Sequence, residues 1–329
     1  MCFEYCIFAQ KNRLMLPILL LLAGFAALIY GANQMVNGAS SLAKRMNISD
    51  IVIGLTIVAF GTSAPELVVN TLAAINKNTE MVLGNVIGSN VFNVLVILGI
   101  TALIAPLNVK KSTTWIEIPL SLLAALAVWL MANDTLLNRI DADAILRSDG
   151  ILLLLFFTIF MGYNLAVAKK EPHEENLNLP SISIPKSIFL TLFGLVLLIV
   201  GGNLIVDNAV LIAQKIGLSE RVIALTIVSV GTSLPELATS IVAVRKGNVD
   251  LAIGNVVGSN IFNSFLILGV SAIISPVQVT TNAQPDLLLN IIAGLLLFIF
   301  VFMGKGRVIS RIEGFIFLVI YTSYIFWLL

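Results

Sequence analysis

Two short segments place carboxylates where an apolar chain has no ordinary use for them. Gly-Thr-Ser-Ala-Pro-Glu-Leu at 61–67 recurs as Gly-Thr-Ser-Leu-Pro-Glu-Leu at 231–237, each inside a long hydrophobic stretch. A charged side chain at the centre of a bilayer costs at least about 2.5–3.5 kcal/mol, so Glu66 and Glu236 ask for a functional explanation. No Lys or Arg lies in 51–76, 81–104, 222–244 or 251–274, which argues against a structural ion pair. Two carboxylates drawn together repel unless they are protonated or a bound cation neutralises them.

Pro65 and Pro235 stand immediately before the glutamates. Proline cannot donate a backbone hydrogen bond and clashes with the preceding turn, which predicts a kink or break in both helices at membrane depth. Such a break is expected to free carbonyls one turn earlier, those of Ala59 and Ser229. Unsatisfied backbone at that depth is tolerated only where it lines a polar cavity. The blander alternative is a proline kink in which Thr62, Ser63, Thr232 and Ser233 bond back to their own helix; the adjacent glutamates favour the cavity.

A second segment is also doubled: Gly-Asn-Val-Ile-Gly-Ser-Asn-Val-Phe-Asn at 84–93 recurs as Gly-Asn-Val-Val-Gly-Ser-Asn-Ile-Phe-Asn at 254–263. Asn85, Ser89 and Asn93 recur every four residues, as do Asn255, Ser259 and Asn263, so each set forms a polar stripe on an otherwise apolar helix. Gly84/Gly88 and Gly254/Gly258 run beside the stripes as small-xxx-small pairs that permit close helix approach. Such a stripe can serve as interhelical glue, but its doubling beside a doubled Pro-Glu break favours a ligand set. Carboxylate, hydroxyl, amide carbonyl and backbone carbonyl are hard oxygen donors suited to Ca²⁺, Mg²⁺ or Na⁺. Neither repeated segment contains Cys, His or Met to favour a softer metal. Mg²⁺ sheds water reluctantly and prefers near-ideal octahedral geometry, which leaves Ca²⁺ and Na⁺ as the better fits. They would be cargo; no resident cofactor is called for.

These residues need elements that hold them in a membrane. Of 329 residues, 58% are hydrophobic and 11% charged, against roughly 25% charged in an average soluble domain, which excludes a soluble globular fold. Nineteen Lys and Arg against 18 Asp and Glu leave a net charge of +1 and no basic face for nucleic acid. Cys2 and Cys6 are too few and too close for a disulfide framework. A spanning helix needs about 20 mostly apolar residues. Ten stretches qualify: Leu14–Ala39, Ile51–Ile75, Met81–Ile104, Trp115–Ala132, Ile151–Ala168, Ile188–Ala213, Val222–Val244, Leu251–Ile274, Leu287–Met303 and Gly314–Trp327.

Both repeated segments are offset by 170 residues, as are Gly31/Gly201, Asn33/Asn203, Ser49/Ser219, Thr56/Thr226 and Pro106/Pro276. A five-helix unit has therefore been duplicated. An odd number of spans turns the second copy over in the membrane, the inverted-repeat plan of many secondary transporters. The expected fold class is an all-α membrane protein with ten transmembrane helices as two inverted five-helix repeats. Its parts are an N-terminal extension at 1–13, the first repeat at 14–168, a polar linker at 169–187 and the second repeat at 188–329. The linker carries three prolines and His173, the sole histidine. Nearly all acidic residues other than Glu66 and Glu236 fall in links or at helix ends, and Asp207, matching Asn37, is read as an end-of-helix charge.

Lys and Arg divide 12 to 7 in favour of the links after odd-numbered spans. Those links, the 169–187 linker included, are expected to be cytoplasmic and both termini to face the other side. Lys11 and Arg13 weaken that bias, and a start at Met15 would sharpen it. No small-residue cleavage site follows the apolar stretch of the N-terminal segment, so the first span is expected to be retained.

The paired GTSxPE and GNxxGSNxFN segments resemble the repeats of the sodium/calcium exchanger branch of the calcium/cation antiporter superfamily. The resemblance covers essentially all ten spans from Leu14 onward; it is specific in the two repeats and merely hydropathic in the fourth, fifth, ninth and tenth spans. It implies a secondary active transporter, not an enzyme, that exchanges Ca²⁺ for Na⁺ by alternating access in a bacterial inner (plasma) membrane. Its partners would be the two ions and the lipid bilayer, with no obligatory protein partner. By resemblance, Glu66 and Glu236 are the central Ca²⁺ ligands. Thr62, Ser63, Thr232, Ser233, Ser89, Ser259, Asn93, Asn263 and the carbonyls of Ala59 and Ser229 complete overlapping Ca²⁺ and Na⁺ sites. Asn263 departs from some prokaryotic relatives, which carry aspartate there. The resemblance also implies motion: the first and sixth spans, with Gly24, Gly31, Gly38, Gly194, Gly201 and Gly202, are expected to present smooth faces that slide across a rigid core.

Other readings use the same residues differently. A Ca²⁺/H⁺ or K⁺-dependent antiporter would employ the same glutamates as titrating groups. A cation channel fits oxygen donors but not a two-copy inverted repeat with a midplane site. An intramembrane enzyme lacks an evident nucleophile or water-activating partner, and an ATP-driven pump lacks a P-loop.

Overall fold

A computed structural model describes residues 2–137, 142–168, 182–215, 229–280, 283–303 and 306–328, with side chains from Met15 onward except at Ser229. Among the described residues, eight helices are long and apolar enough to cross a membrane, and a bent pair makes a ninth. In chain order, with the short α8 (Leu234–Arg245) added to these nine, the helices are α1 (Cys2–Met46), the bent pair α2 (Asp50–Thr62) and α3 (Ala64–Ile75), α4 (Thr79–Ile104), α5 (Thr113–Met131), α6 (Arg147–Ala168), α7 (Ile184–Lys215), α8, α9 (Val249–Ile274), α10 (Gln284–Met303) and α11 (Arg311–Leu328). The short α8 belongs to the expected seventh span, Val222–Val244, whose beginning lies outside the described residues. So does most of the 169–187 linker. The helix after it starts at Ile184, earlier than expected, because Pro185 sits in the first turn, where its missing N–H costs no helical bond. At the other end, α1 runs back through the 1–13 extension to Cys2.

Burial ranks these helices. In α4 and α9, 78% of the central window is buried, against 17–33% in α1, α5, α6, α7, α10 and α11. Leu95, Ile97, Leu98, Phe262 and Phe265 fill the interior. Leu19, Ile159, Phe189, Met303 and Phe315 are more than half exposed on the outer helices. An apolar surface of that extent marks a lipid contact rather than a water-facing one. The two helices with the polar stripes therefore form the centre, and the hydropathic spans shield them.

The glycines of α1 and α7 face each other. A methyl group on Gly31 would stand 2.8 Å from the Gly194 carbonyl oxygen, one on Gly201 2.8 Å from that of Gly24, and one on Gly38 2.7 Å from that of Ser187. The smooth faces expected to slide over the core instead hold the two long helices together, backbone against backbone. Of the six glycines only Gly202 turns toward Pro235, at 3.9 Å. Gly194→Val is accordingly expected to force α1 and α7 apart and destabilise the protein by about 1–3 kcal/mol, the usual cost of overpacking. A thermal melt in detergent reads this directly, and an unchanged midpoint would show the crossing to be loose.

Short ladders and polar contacts tie the links together. Leu107–Asn108 pairs antiparallel with Val308–Ile309, and Ala144–Ile145 with Val277–Gln278. Because α5 runs between Asn108 and Ala144, the ladders lie at opposite ends of the bundle. Lys77 and Gly247, 170 residues apart, both close a helix in the left-handed conformation, with φ of 59° and 80°. Beside Gly247, Lys246 Nζ donates to Asn37 Oδ1 at 2.7 Å and to the Asn33 carbonyl at 3.2 Å. Asn248 Nδ2 donates to Ser40 Oγ at 2.9 Å. These contacts pin one end of α1 to the link between α8 and α9.

Candidate cation-binding site

The chain breaks where the prolines predict. Ser63, at φ −85° and ψ 6°, separates α2 from α3, which diverge by 47°. Ser233, at φ −89° and ψ 6°, stands in the same place before α8. Pro65 and Pro235 then occupy the first turn of the new helix, and Glu66 and Glu236 follow in that turn. A helix N-terminus favours negative charge, so the break both buries and partly stabilises each carboxylate. Both glutamates are 1% exposed.

One backbone expectation is corrected. The Ala59 carbonyl is not released: it accepts the Ser63 N–H at 3.0 Å, since a proline at 65 withholds its donor from residue 61 instead. Ala59 keeps one lone pair for any other partner. Ser229 opens a short helix, Ser229–Gly231.

Three of the four hydroxyls, those of Thr62, Ser63 and Thr232, reach across to the other half. Ser63 Oγ donates within 2.9 Å of Glu236 Oε1 and lies 3.0 Å from Ser259 Oγ. Thr62 Oγ1 donates to Asn255 Oδ1 at 3.1 Å, with a longer 3.4 Å approach to the Ala59 carbonyl. In the other direction Thr232 Oγ1 donates to Asn85 Oδ1 at 3.3 Å. Thr232 and Ser233 stand beside Glu66 but outside hydrogen-bonding geometry with either of its oxygens. The two carboxylates are close enough for their charges to interact. Each Pro-Glu break is thus placed against the stripe and carboxylate of the opposite half.

What remains unpaired defines the chemistry. Glu66 Oε1 and Oε2, Glu236 Oε2, Ser89 Oγ, Ser233 Oγ, Asn93 Oδ1 and Asn263 Oδ1 are all buried without a hydrogen-bond partner. A buried acceptor left in that condition is costly, and native structures keep few of them. Ser63 and Ser259 meet Glu236, and Thr232 and Ser233 stand beside Glu66, all of them oxygen donors of the kind Na⁺ and Ca²⁺ accept. Among the described residues no three of His, Cys, Asp and Glu come together.

Some functional geometry was not visible in the sequence. Residues Asn93–Leu98 and Phe262–Ile267 wind as π-helix, as do Gly54–Val58 in α2. Such insertions widen a helix locally and recur at functional sites, yet no residue type announces them. Asn90 and Asn260 lie off the four-residue stripes and went unassigned, although both belong to the doubled segment; in the fold they bond Asn263 and Asn93. Glu117 is buried too, at 1% exposed, as are Asp50 and Glu313, and it accepts the Tyr163 hydroxyl at 2.5 Å. Asp207 is exposed but lies eight residues before the last residue of α7, Lys215, so it is not the end-of-helix charge expected. The small-xxx-small reading holds for Gly254 and Gly258, where an added methyl would meet Ile51 O at 2.7 Å and Leu55 O at 2.9 Å. Gly84 shows no such approach among the described residues.

With this geometry in place, relatives can be compared. The sodium/calcium exchanger protein family matches residues 16–166 and 186–329, leaving out most of the linker. The sodium/calcium exchanger MaX1 of Methanosarcina acetivorans is 30% identical over 342 residues, spanning 93% of this chain and 97% of that one. The inner membrane protein YrbG of Escherichia coli is 34% identical over 275 residues, spanning 81% of this chain and 82% of YrbG. A solved structure of the sodium-calcium exchanger NCX_Mj, soaked with Na⁺ and Sr²⁺, superposes with a TM-score of 0.81 at 32% identity, covering 95% of this chain and 98% of that chain. Matched on both sides of its linker and superposed over nearly its whole length, the chain belongs to the sodium/calcium exchanger family and is a membrane cation antiporter.

Proposed function

We propose that the protein exchanges Ca²⁺ for Na⁺ across a bacterial inner membrane by alternating access, with Glu66 and Glu236 as ligands shared between the two ions. The observation that carries this reading is that buried oxygens without donors accompany two carboxylates for which, among the described residues, no ion pair with Lys or Arg is found. The names of MaX1 and NCX_Mj as sodium/calcium exchangers support the choice of ions. Thr62, Ser63, Thr232, Ser233, Ser89, Ser259, Asn93, Asn263 and the carbonyls of Ala59 and Ser229 complete the ligand set. Coupling needs no further machinery. Without a cation the site buries two mutually repelling carboxylates, so the empty carrier is costly to turn over and ions cross only in exchange.

In this reading the fold is an inverted pair of five-helix repeats, at 14–168 and 188–329, with ten spans in all. The Lys and Arg bias puts the linker in the cytoplasm and both termini outside. The glycine-locked pair of α1 and α7 moves as one body against the core of α2, α3, α4, α8 and α9, exposing the site to one side and then the other.

Proteoliposomes separate this reading from proton coupling on the same scaffold. An outward Na⁺ gradient is expected to drive ⁴⁵Ca²⁺ uptake, and a pH gradient imposed without Na⁺ is expected to drive none. Uptake that follows the pH gradient and ignores Na⁺ would overturn the assignment.

A further inference from the structure

We propose that Asn260 and Asn90 are positioning residues that aim the side-chain carbonyls of Asn93 and Asn263 at the transported ion. The inference rests on Asn93 and Asn263 being ligands, as assigned above. A carboxamide has one acceptor end and one donor end, and only the acceptor end can bind a cation. Asn93 and Asn263 are each 1% exposed, so water does not decide which end faces the site.

In one copy, donors and acceptors decide it step by step. Asn260 Nδ2 lies 3.3 Å from the backbone carbonyl oxygen of Asn90. A carbonyl only accepts, so that end of Asn260 is its NH₂ and the other end is Oδ1. This Oδ1 lies 2.9 Å from Asn93 Nδ2 and accepts from it. The Asn93 NH₂ is thereby engaged, and its Oδ1 is left buried with no protein donor. A fixed backbone atom thus determines, through two amides, that Asn93 presents oxygen rather than nitrogen.

The second copy runs the other way across the same contact. Asn263 Nδ2 donates to Asn90 Oδ1 at 3.1 Å, and Asn90 Nδ2 donates to Ser264 Oγ at 2.9 Å. Asn263 Oδ1 is likewise buried without a donor. Each half therefore orients a ligand of the other, and the bonds doing so join α4 to α9, the two most buried helices. The arrangement also requires an amide at position 93, because an aspartate there would set two acceptors against each other.

The test is Ca²⁺ binding to the full-length protein in nanodiscs, measured with ⁴⁵Ca²⁺, beside Na⁺-driven flux in proteoliposomes. Asn260→Ala frees Asn93 to rotate and is expected to weaken Ca²⁺ binding about tenfold or more, the usual effect of losing a residue that orients a metal ligand. Flux at saturating Ca²⁺ should change much less than the KM. Asn90→Ala should do the same through Asn263, which keeps the test open if one variant fails to fold. Asn164 supplies the control: it is 1% exposed and donates to the Phe160 carbonyl at 2.9 Å within α6. Asn164→Ala removes a comparable buried bond and should leave Ca²⁺ affinity unchanged. Unaltered affinity in the folded Asn260 and Asn90 variants, or an equal loss in Asn164→Ala, overturns the proposal. Full Ca²⁺ binding by Glu66→Gln would instead overturn the ligand set beneath it.

Discussion

Glu66→Gln and Glu236→Gln are each expected to lower Na⁺-driven ⁴⁵Ca²⁺ uptake by about 100-fold or more while the protein still reaches the membrane. The size follows from charge. Removing one partner of a buried ion pair typically costs about 3–5 kcal/mol, and every 1.4 kcal/mol is tenfold in affinity. Glutamine matches glutamate in shape and relieves the cost of inserting a charge, so folding should be spared. Both variants leave one carboxylate where the exchange needs two. The glutamates also differ. Glu236 Oε1 accepts the Ser63 hydroxyl at 2.9 Å, a bond that glutamine can keep through its carbonyl, whereas neither oxygen of Glu66 has a protein donor. The loss is therefore expected to be greater at Glu66. Full exchange in either variant, at matched expression, would refute the site.

Crosslinking α1 to the core is expected to stop exchange altogether. Ser40 and Asn248 meet at 2.9 Å across the boundary between α1 and the link joining α8 to α9. In a background with Cys2 and Cys6 replaced by serine, cysteines at 40 and 248 joined by a short bis-methanethiosulfonate, which forms a reducible disulfide with each thiol and releases methanesulfinate, fix that boundary. Flux is expected to fall in proportion to the crosslinked fraction and to return on reduction. The reason is geometric. The glycine contacts hold α1 to α7 so closely that neither can shift alone, so pinning α1 pins both. A fully crosslinked protein that still exchanges would eliminate the movement of this pair as the alternating step.

The site was legible in the sequence to an unusual degree because the bilayer makes polarity expensive. Glu66 and Glu236 stand out only against stretches without a counter-charge, and the 170-residue offset shows that the exception was made twice. The same logic failed at Glu117. A carboxylate near the start of a span passes for an interfacial charge, and only the folded chain shows the Tyr163 hydroxyl that meets it. Glycine spacing in α1 and α7 suggested smooth faces toward the core, whereas most of these glycines pack the two helices against each other, because a row of small residues fits any smooth surface and its partner is set by the fold. Four-residue periodicity found Asn93 and Asn263, and missed Asn90 and Asn260, because the π-helical turns that follow depart from the 3.6-residue period on which such readings depend.

By itself the sequence determined that this is a membrane protein with a duplicated unit, that each unit breaks a helix at a proline, and that two carboxylates and a set of hard oxygens lie at the breaks. Those conclusions are local. They follow from hydropathy over about 20 residues, from the missing proline N–H, and from the cost of charge in hydrocarbon. Only the tertiary structure decided which half supplies each contact: Ser63 reaching Glu236, Thr62 reaching Asn255, Asn260 turning Asn93. Such contacts join residues separated by about half the chain, and their geometry depends on how α4 and α9 cross. Side-chain spacing along one helix cannot specify that crossing; the packing of the two buried helices does.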